Sequence, residues 1–248
     1  MPPTKPLTKS PTRSSPSPSK SAHQSPRPAR EPVAARPYHH GDLRRVLVEA
    51  AYDLVAERGV ETVSVREAAR RAGVSPGAPF RHFPSRDALL AAVAVEAQRR
   101  FRAEIAAALA QVPDDQPLAR FRALGVAYLR WAMRNPGHFE IISDGRLFDF
   151  EKAEGAAPGV KADNAEIIGL TGQLLADAGA QGLLRPADLK VMRIAGRALV
   201  YGLARMKIDG HFPRWDVAEA EIGPMVEAVF DLFLAGIAND KPAGSRRR

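Results

Sequence analysis

The side chains of this 248-residue chain best suited to chemistry are arginines gathered in one stretch. Arg81 and Arg86, with His82 beside the first, follow a run of small residues, Ser75, Pro76, Gly77 and Ala78. Just upstream, Arg66 and Arg70 lie on the polar face of an amphipathic segment. A guanidinium offers five donors in a rigid plane, which suits phosphate oxygens and the acceptor edges of bases. Small residues let a backbone come close to a groove. Phosphate contacts fix register, and base-edge contacts specify sequence. The chemistry within reach of these residues is recognition of a polyanion.

The marks of catalysis are missing. The chain contains no His-Glu-x-x-His, no Gly-x-Ser-x-Gly, no Walker loop and no dinucleotide glycine pattern. Asp144, Asp149, Glu151 and Glu154 lie close together, but in a Gly/Ala/Pro-rich stretch with no partner His. There is no cysteine, which excludes disulfides, thiolate chemistry and cysteine-ligated zinc. His39 and His40 are adjacent on an extended lead-in, where neighbours point apart, and no third ligand follows at helical spacing. No metal and no cofactor are expected, and the chain does not read as an enzyme.

The arginines need a scaffold, and the flanking residues predict one. Ser64 is a good N-cap, with Glu67 three positions on to complete a capping box. Val65, Ala68, Ala69 and Ala72 form a small apolar stripe. Gly73 stops this helix where a left-handed residue is wanted, and with Ala69 it leaves room for a close helix crossing. Ser75 is expected to cap a second helix with Pro76 at its first position. Two short helices joined by such a turn form a helix-turn-helix, whose second helix enters the DNA major groove. Pro79 removes a hydrogen bond early in that second helix, which should be short or tightened at its start.

A first helix precedes this unit, with Leu47, Ala50, Ala51, Leu54 and Val55 on one face and Gly59 at its end. Ser85 caps the helix that follows, where Arg86 is a phosphate candidate because helix N-termini attract anions. That helix runs to about residue 110 through Phe101 and Leu109, until Pro113 and Pro117 break it. Further helices are predicted at 117–134, 136–143, 163–178, 187–208 and 216–237, with a loop at 144–162. Pro224 marks a kink or a delayed start in the last of them. The expected fold is all-α, with about nine helices.

Net charge is +8, but unevenly placed. Residues 1–40 hold seven Lys/Arg against Glu31 alone, and the end of the chain holds Lys241 and Arg246 to Arg248 against Asp240. Residues 1–37 are rich in Pro, Ser and basic residues and cannot offset the entropy of ordering, so disorder is expected. This segment is either a basic arm that reaches DNA or a solubilising tail. Four regions follow: a tail at 1–37, a head at 38–95, a body at 96–238 and a basic tail at 239–248. No apolar run is long enough to span a membrane, and the N-terminus lacks a signal-like apolar core. A cytoplasmic location is expected.

The order of motifs is specific. Arg44 to Gly59 with its Glu57-Arg58-Gly59 end, Ala72-Gly73-Val74-Ser75, and Arg81-His82-Phe83-Pro84-Ser85 follow one another between residues 41 and 95. This run closely resembles the N-terminal DNA-binding domain of the TetR family of bacterial transcriptional regulators. The resemblance implies DNA contacts at Ser64, Arg66, Ser75, Pro76, Gly77, Ala78, Phe80, Arg81, His82 and Arg86. Phe80 departs from the Tyr common in the family, and the hydroxyl that meets a phosphate is absent.

The 38–44 lead-in, Ala78-Pro79, and Gly202 also resemble the subgroup named for a Trp-His-Gly motif, although Arg197 and Tyr201 replace its Trp and His. The family resemblance implies a homodimer on a palindromic operator, usually a repressor, released by a small-molecule effector. It places Ala195, Leu199, Gly202 and Met206 on one interface helix, and Val226, Val229, Phe230, Phe233 and Leu234 on the other. Trp131, Phe139, Ile142 and Tyr201 are the expected lining of an effector pocket. The rival reading is non-specific DNA binding through the basic tails, with a steep salt dependence.

Overall fold

The computed structural model describes residues 43–143 and 157–239. Among the described residues there are eight α-helices, and the only β-pairing is a single bridge between Leu184 and Ala238. The helices are α1 (Leu43–Arg58), α2 (Val65–Arg71), α3 (Arg86–Leu109), α4 (Pro117–Arg134), α5 (Pro136–Ser143), α6 (Ala157–Ala180), α7 (Leu189–Ile208) and α8 (Ile222–Ile237). None of them is long and apolar enough to cross a membrane. Both tails, the lead-in with its His pair and the acidic cluster at 144–154 lie outside the described residues.

The apolar stripe of α1 is fully used: Leu47, Ala51, Leu54 and Val55 are buried. At seven residues α2 is too short to be stable alone, so its tertiary contacts must hold it. Val65, Ala68 and Ala69 pack into the head, and the Arg71 guanidinium bonds Glu57 of α1 at 2.6 Å. Half of the expected capping box forms. Ser64 Oγ accepts from Glu67 N at 3.1 Å, but the Glu67 carboxylate turns away to Arg58 and Arg70. Gly73 has φ 68°, the left-handed conformation its position wanted. No atom lies within 4 Å of where its Cβ would be, so the glycine serves backbone conformation and not a close crossing.

The second helix of the motif contracts to a 3-10 turn, Ala78–Arg81, which is why eight α-helices stand where nine were expected. Pro79 is buried at its start, and the N–H groups of His82 and Phe83 both bond the Pro79 carbonyl at 2.9 Å. Gly77, not Ser75, occupies the N-cap, without a side-chain cap.

The body begins on α3, whose Ser85 cap accepts from Ala88 N at 3.1 Å. This helix buries Leu89 and Val93 near the head and Phe101, Ile105 and Leu109 farther along. α5 docks closely on α1. A Cβ on Gly137 would sit 2.9 Å from Val55 Cγ1 and 3.1 Å from the Val55 carbonyl oxygen. Next to it the buried His138 donates Nε2–H to the Tyr52 carbonyl at 3.0 Å and stacks on the Tyr52 ring with centroids 3.6 Å apart. The Arg100 guanidinium lies over that same ring.

α6 starts at Ala157, ahead of the predicted 163, because Pro158 suits a first turn. α8 is preceded by the 3-10 turn Glu219–Glu221, and Pro224 falls in its first turn, so the start is delayed and not kinked. Phe230 of α8 lies over Gly125 of α4, where a Cβ would come within 2.2 Å of the ring. Head and body share one continuous apolar core.

Candidate nucleic-acid interface

On the head, most basic side chains are already matched. Arg58 and Arg70 pair with Glu67, and Arg71 pairs with Glu57 and Asp53. Arg70 holds the Glu67 carboxyl below the usual range, and Arg71 does the same for Glu57. Arg44 lies over the buried Phe83 ring, 5.2 Å from its centroid. Arg66 and Arg81 differ: both are exposed, and neither has a hydrogen-bond or ion-pair partner among the described residues. Charges left unmatched on a surface remain available for phosphate or base edges.

Between these arginines in the sequence lies a run of small side chains. Ser75, Pro76 and Gly77 are exposed, and Ala78 and His82 are half-buried. Phe80 keeps 43% of its surface exposed, and its ring can pack on a thymine methyl. Ser64 accepts its capping bond through oxygen, which leaves its hydroxyl proton free to be donated outward.

Arg86 does not project as a phosphate contact. Its guanidinium donates to the Val63 and Val60 carbonyls, each at 2.9 Å, and lies 3.7 Å from Glu61. It ties the start of α3 to the turn before α2, so it positions the motif. Nothing local in the sequence marks this role: the Val60 carbonyl, at the start of the 3-10 turn Val60–Thr62, also accepts from Val63 N at 3.2 Å, and the Arg86 bonds depend on how α3 packs against that turn.

The body contains a cavity of about 290 Å³ between α3, α4, α6, α7 and α8. Phe101, Phe121, Leu124, Ile167, Val200 and Phe230 form its apolar wall. Its polar groups include Tyr128, Asn164, Arg193 and Arg197. The expected lining is corrected: Trp131, Phe139, Ile142 and Tyr201 do not reach it. Trp131 and Phe139 are core, one layer behind, with Trp131 against Phe101 at 4.9 Å and Phe139 edge-on to Tyr128 at 5.8 Å. Tyr201 meets Phe139 and lies under the Arg197 guanidinium.

Known proteins match both parts. A family model described as bacterial regulatory proteins of the tetR family matches residues 47–93, and one described as a tetracyclin repressor-like C-terminal domain matches residues 121–233. A solved protein of unknown function from Rhodococcus sp. RHA1 is 32% identical with a TM-score of 0.67, covering 83% of this chain and 100% of that one. This chain belongs to the TetR family. An uncharacterised HTH-type transcriptional regulator of Mycobacterium tuberculosis is 38% identical over 71 residues, which is 29% of this TetR-family chain and 36% of the relative. An HTH-type transcriptional repressor of the same organism is 42% identical over 52 residues, 21% of this chain and 28% of the relative. The chain thus spans about a third of the length of these two curated relatives. A ketosteroid transcriptional regulator of M. tuberculosis has the same fold, at 19% identity and a TM-score of 0.60, covering 80% and 96% of the two chains.

In this TetR-family body, α7 and α8 turn an apolar face to solvent. Val191 is 61% exposed and Leu232 74%, and Ile194, which also lines the cavity, is 58% exposed. Of the residues expected there, Ala195 is exposed, and Leu199, Gly202, Met206, Val229, Phe233 and Leu234 are half-buried. Val226 and Phe230 are corrected to the subunit's own core, with 0% and 1% exposure, because Phe230 fills the space above Gly125.

Proposed function

We propose that the protein acts as a homodimer on a palindromic DNA operator, as a repressor released by a small-molecule effector. Residues 38–95 form the DNA-reading head, and 96–238 form the effector-binding and dimerising body. The observation that carries this reading is the pair of unmatched arginines, Arg66 and Arg81, flanking a run of small side chains in a helix-turn-helix whose neighbouring cations are neutralised. One head covers one half-site, and two heads about 34 Å apart read two half-sites one turn apart. The exposed face of α7 and α8 is the proposed dimer contact. An effector in the cavity touches Phe101 of α3, the helix that begins in the head. It releases DNA only if it prefers the cavity shape of the non-binding state.

The test is selection of bound sites from a random duplex pool by the full-length protein at near-physiological salt. A palindrome with half-sites about one helical turn apart is the expected result. Enrichment of no motif, together with a steep salt dependence, would refute it and assign DNA contact to the basic tails.

A further inference from the structure

Two guanidiniums at the cavity make a charge pattern that DNA release alone does not require. Arg193 and Arg197 stand four residues apart on one face of α7, and both line the cavity. Like charges at this spacing destabilise the helix that carries them. Three other arginines of the body are matched: Arg122 with Asp231, Arg130 with Glu227, and Arg205 with Glu140 and Asp209. Among the described residues no carboxylate lines the cavity, and Arg193 has no hydrogen-bond or ion-pair partner. Arg197 donates to the Tyr128 hydroxyl at 2.6 Å and lies over the Tyr128 and Tyr201 rings, at 5.2 and 4.9 Å. That hydroxyl is no counter-ion, since burial pushes its pKa up to about 12 and keeps it neutral. The remaining donors of the Arg197 fork stay open.

Apart from Tyr128, Asn164 and Thr171 the rest of the wall is apolar and aromatic, and the volume of about 290 Å³ is well above the roughly 150 Å³ that holds a benzene. We propose that the cavity takes an amphipathic organic anion, with a carboxylate held by Arg193 and Arg197 and an apolar body of about one to two rings among Phe101, Phe121 and Phe230. This rests on reading the cavity as the effector site. Burial of the apolar body supplies the affinity, and the arginines supply the choice of charge. Relief of the Arg193–Arg197 repulsion adds to that choice. Arg197 stands where the resembled motif has its Trp, so the selecting charge is this chain's own departure from the motif.

The full-length protein is titrated by calorimetry with naphthoate, with neutral naphthamide and with cationic naphthylmethylammonium at constant ionic strength. Naphthoate is expected to bind at least about tenfold more tightly than naphthamide, with the cation weakest. Arg193→Gln and Arg197→Gln should each remove most of that advantage by weakening naphthoate far more than naphthamide, while Arg197→Lys keeps part of it. Equal affinities, a preference for the cation, or an advantage that survives both glutamine variants would overturn the anion assignment and leave the cavity reading standing. Binding by none of the three would overturn both.

Discussion

Arg81 and Arg86 carry the same charge in different settings, one without a partner among the described residues and one bonded to two carbonyls, and substitution separates them. Arg81→Ala should lose roughly 1–3 kcal/mol on the selected operator and less on random duplex if the side chain meets a base edge. Equal losses in a binding titration against both duplexes would make it a phosphate contact. Arg86→Ala should instead lower stability by about 1–2 kcal/mol, because two carbonyls lose a half-exposed donor. Its signature is a lower melting temperature with an unchanged salt slope of DNA binding. His138 sets a pH dependence. Burial pushes its pKa down from 6.5 to about 4, so above 6.5 both folded and unfolded states are neutral there. Between the two values the unfolded chain takes a proton that the folded chain refuses, and stability falls as pH drops. The loss from about pH 7 to about pH 5 is on the order of 2 kcal/mol, and His138→Phe should remove it, read as urea midpoints at the two pH values.

At the scale of elements, Gly73 is a clean test of backbone conformation. With φ 68° and open space around it, Gly73→Val should cost about 1–2 kcal/mol from the left-handed conformation alone. Gly73→Asn should cost less, and equal melting temperatures for the two would refute that cause. Such positions were legible in the sequence because they rest on local chemistry. Pro117, Asn135 and Pro136 bound α4 and α5 at the predicted residues, and the Ser64 and Ser85 caps form. What depends on long-range packing was not legible. α8 is apolar around most of its circumference, so periodicity could not say that Val226 and Phe230 face inward and Leu232 outward. Trp131 and Phe139 had the right character for a pocket wall, but the core claimed them, as it claims most large aromatics. The arginines that do reach the cavity look, in sequence, like any solvated helix face. Pro79 foretold a tightened recognition segment, yet its complete collapse to a 3-10 turn depends on burial of the proline itself.

For the whole molecule, the proposed assembly turns on the outer face of α7 and α8. Leu232→Lys should convert dimer to monomer in sedimentation velocity without unfolding the subunit, because the side chain is 74% exposed. Phe230 would be the wrong residue to change, since its loss opens the core above Gly125. A dimer that persists after Leu232→Lys would place the contact on another face. The length of α3 then sets the mechanical scale of regulation. Its 24 residues span about 36 Å from the Ser85 cap in the head to Leu109, passing the cavity at Phe101 on the way. A helix of that length works as a lever: a tilt of about 5° pivoted at the Leu109 end carries the capped end about 3 Å. In a symmetric pair, opposed tilts change the distance between the two reading surfaces by about 6 Å, a sizeable fraction of the 34 Å that separates successive grooves on one face of the duplex. In the proposed dimer, displacement of a few side chains by a small ligand would therefore be enough to put two half-sites out of step.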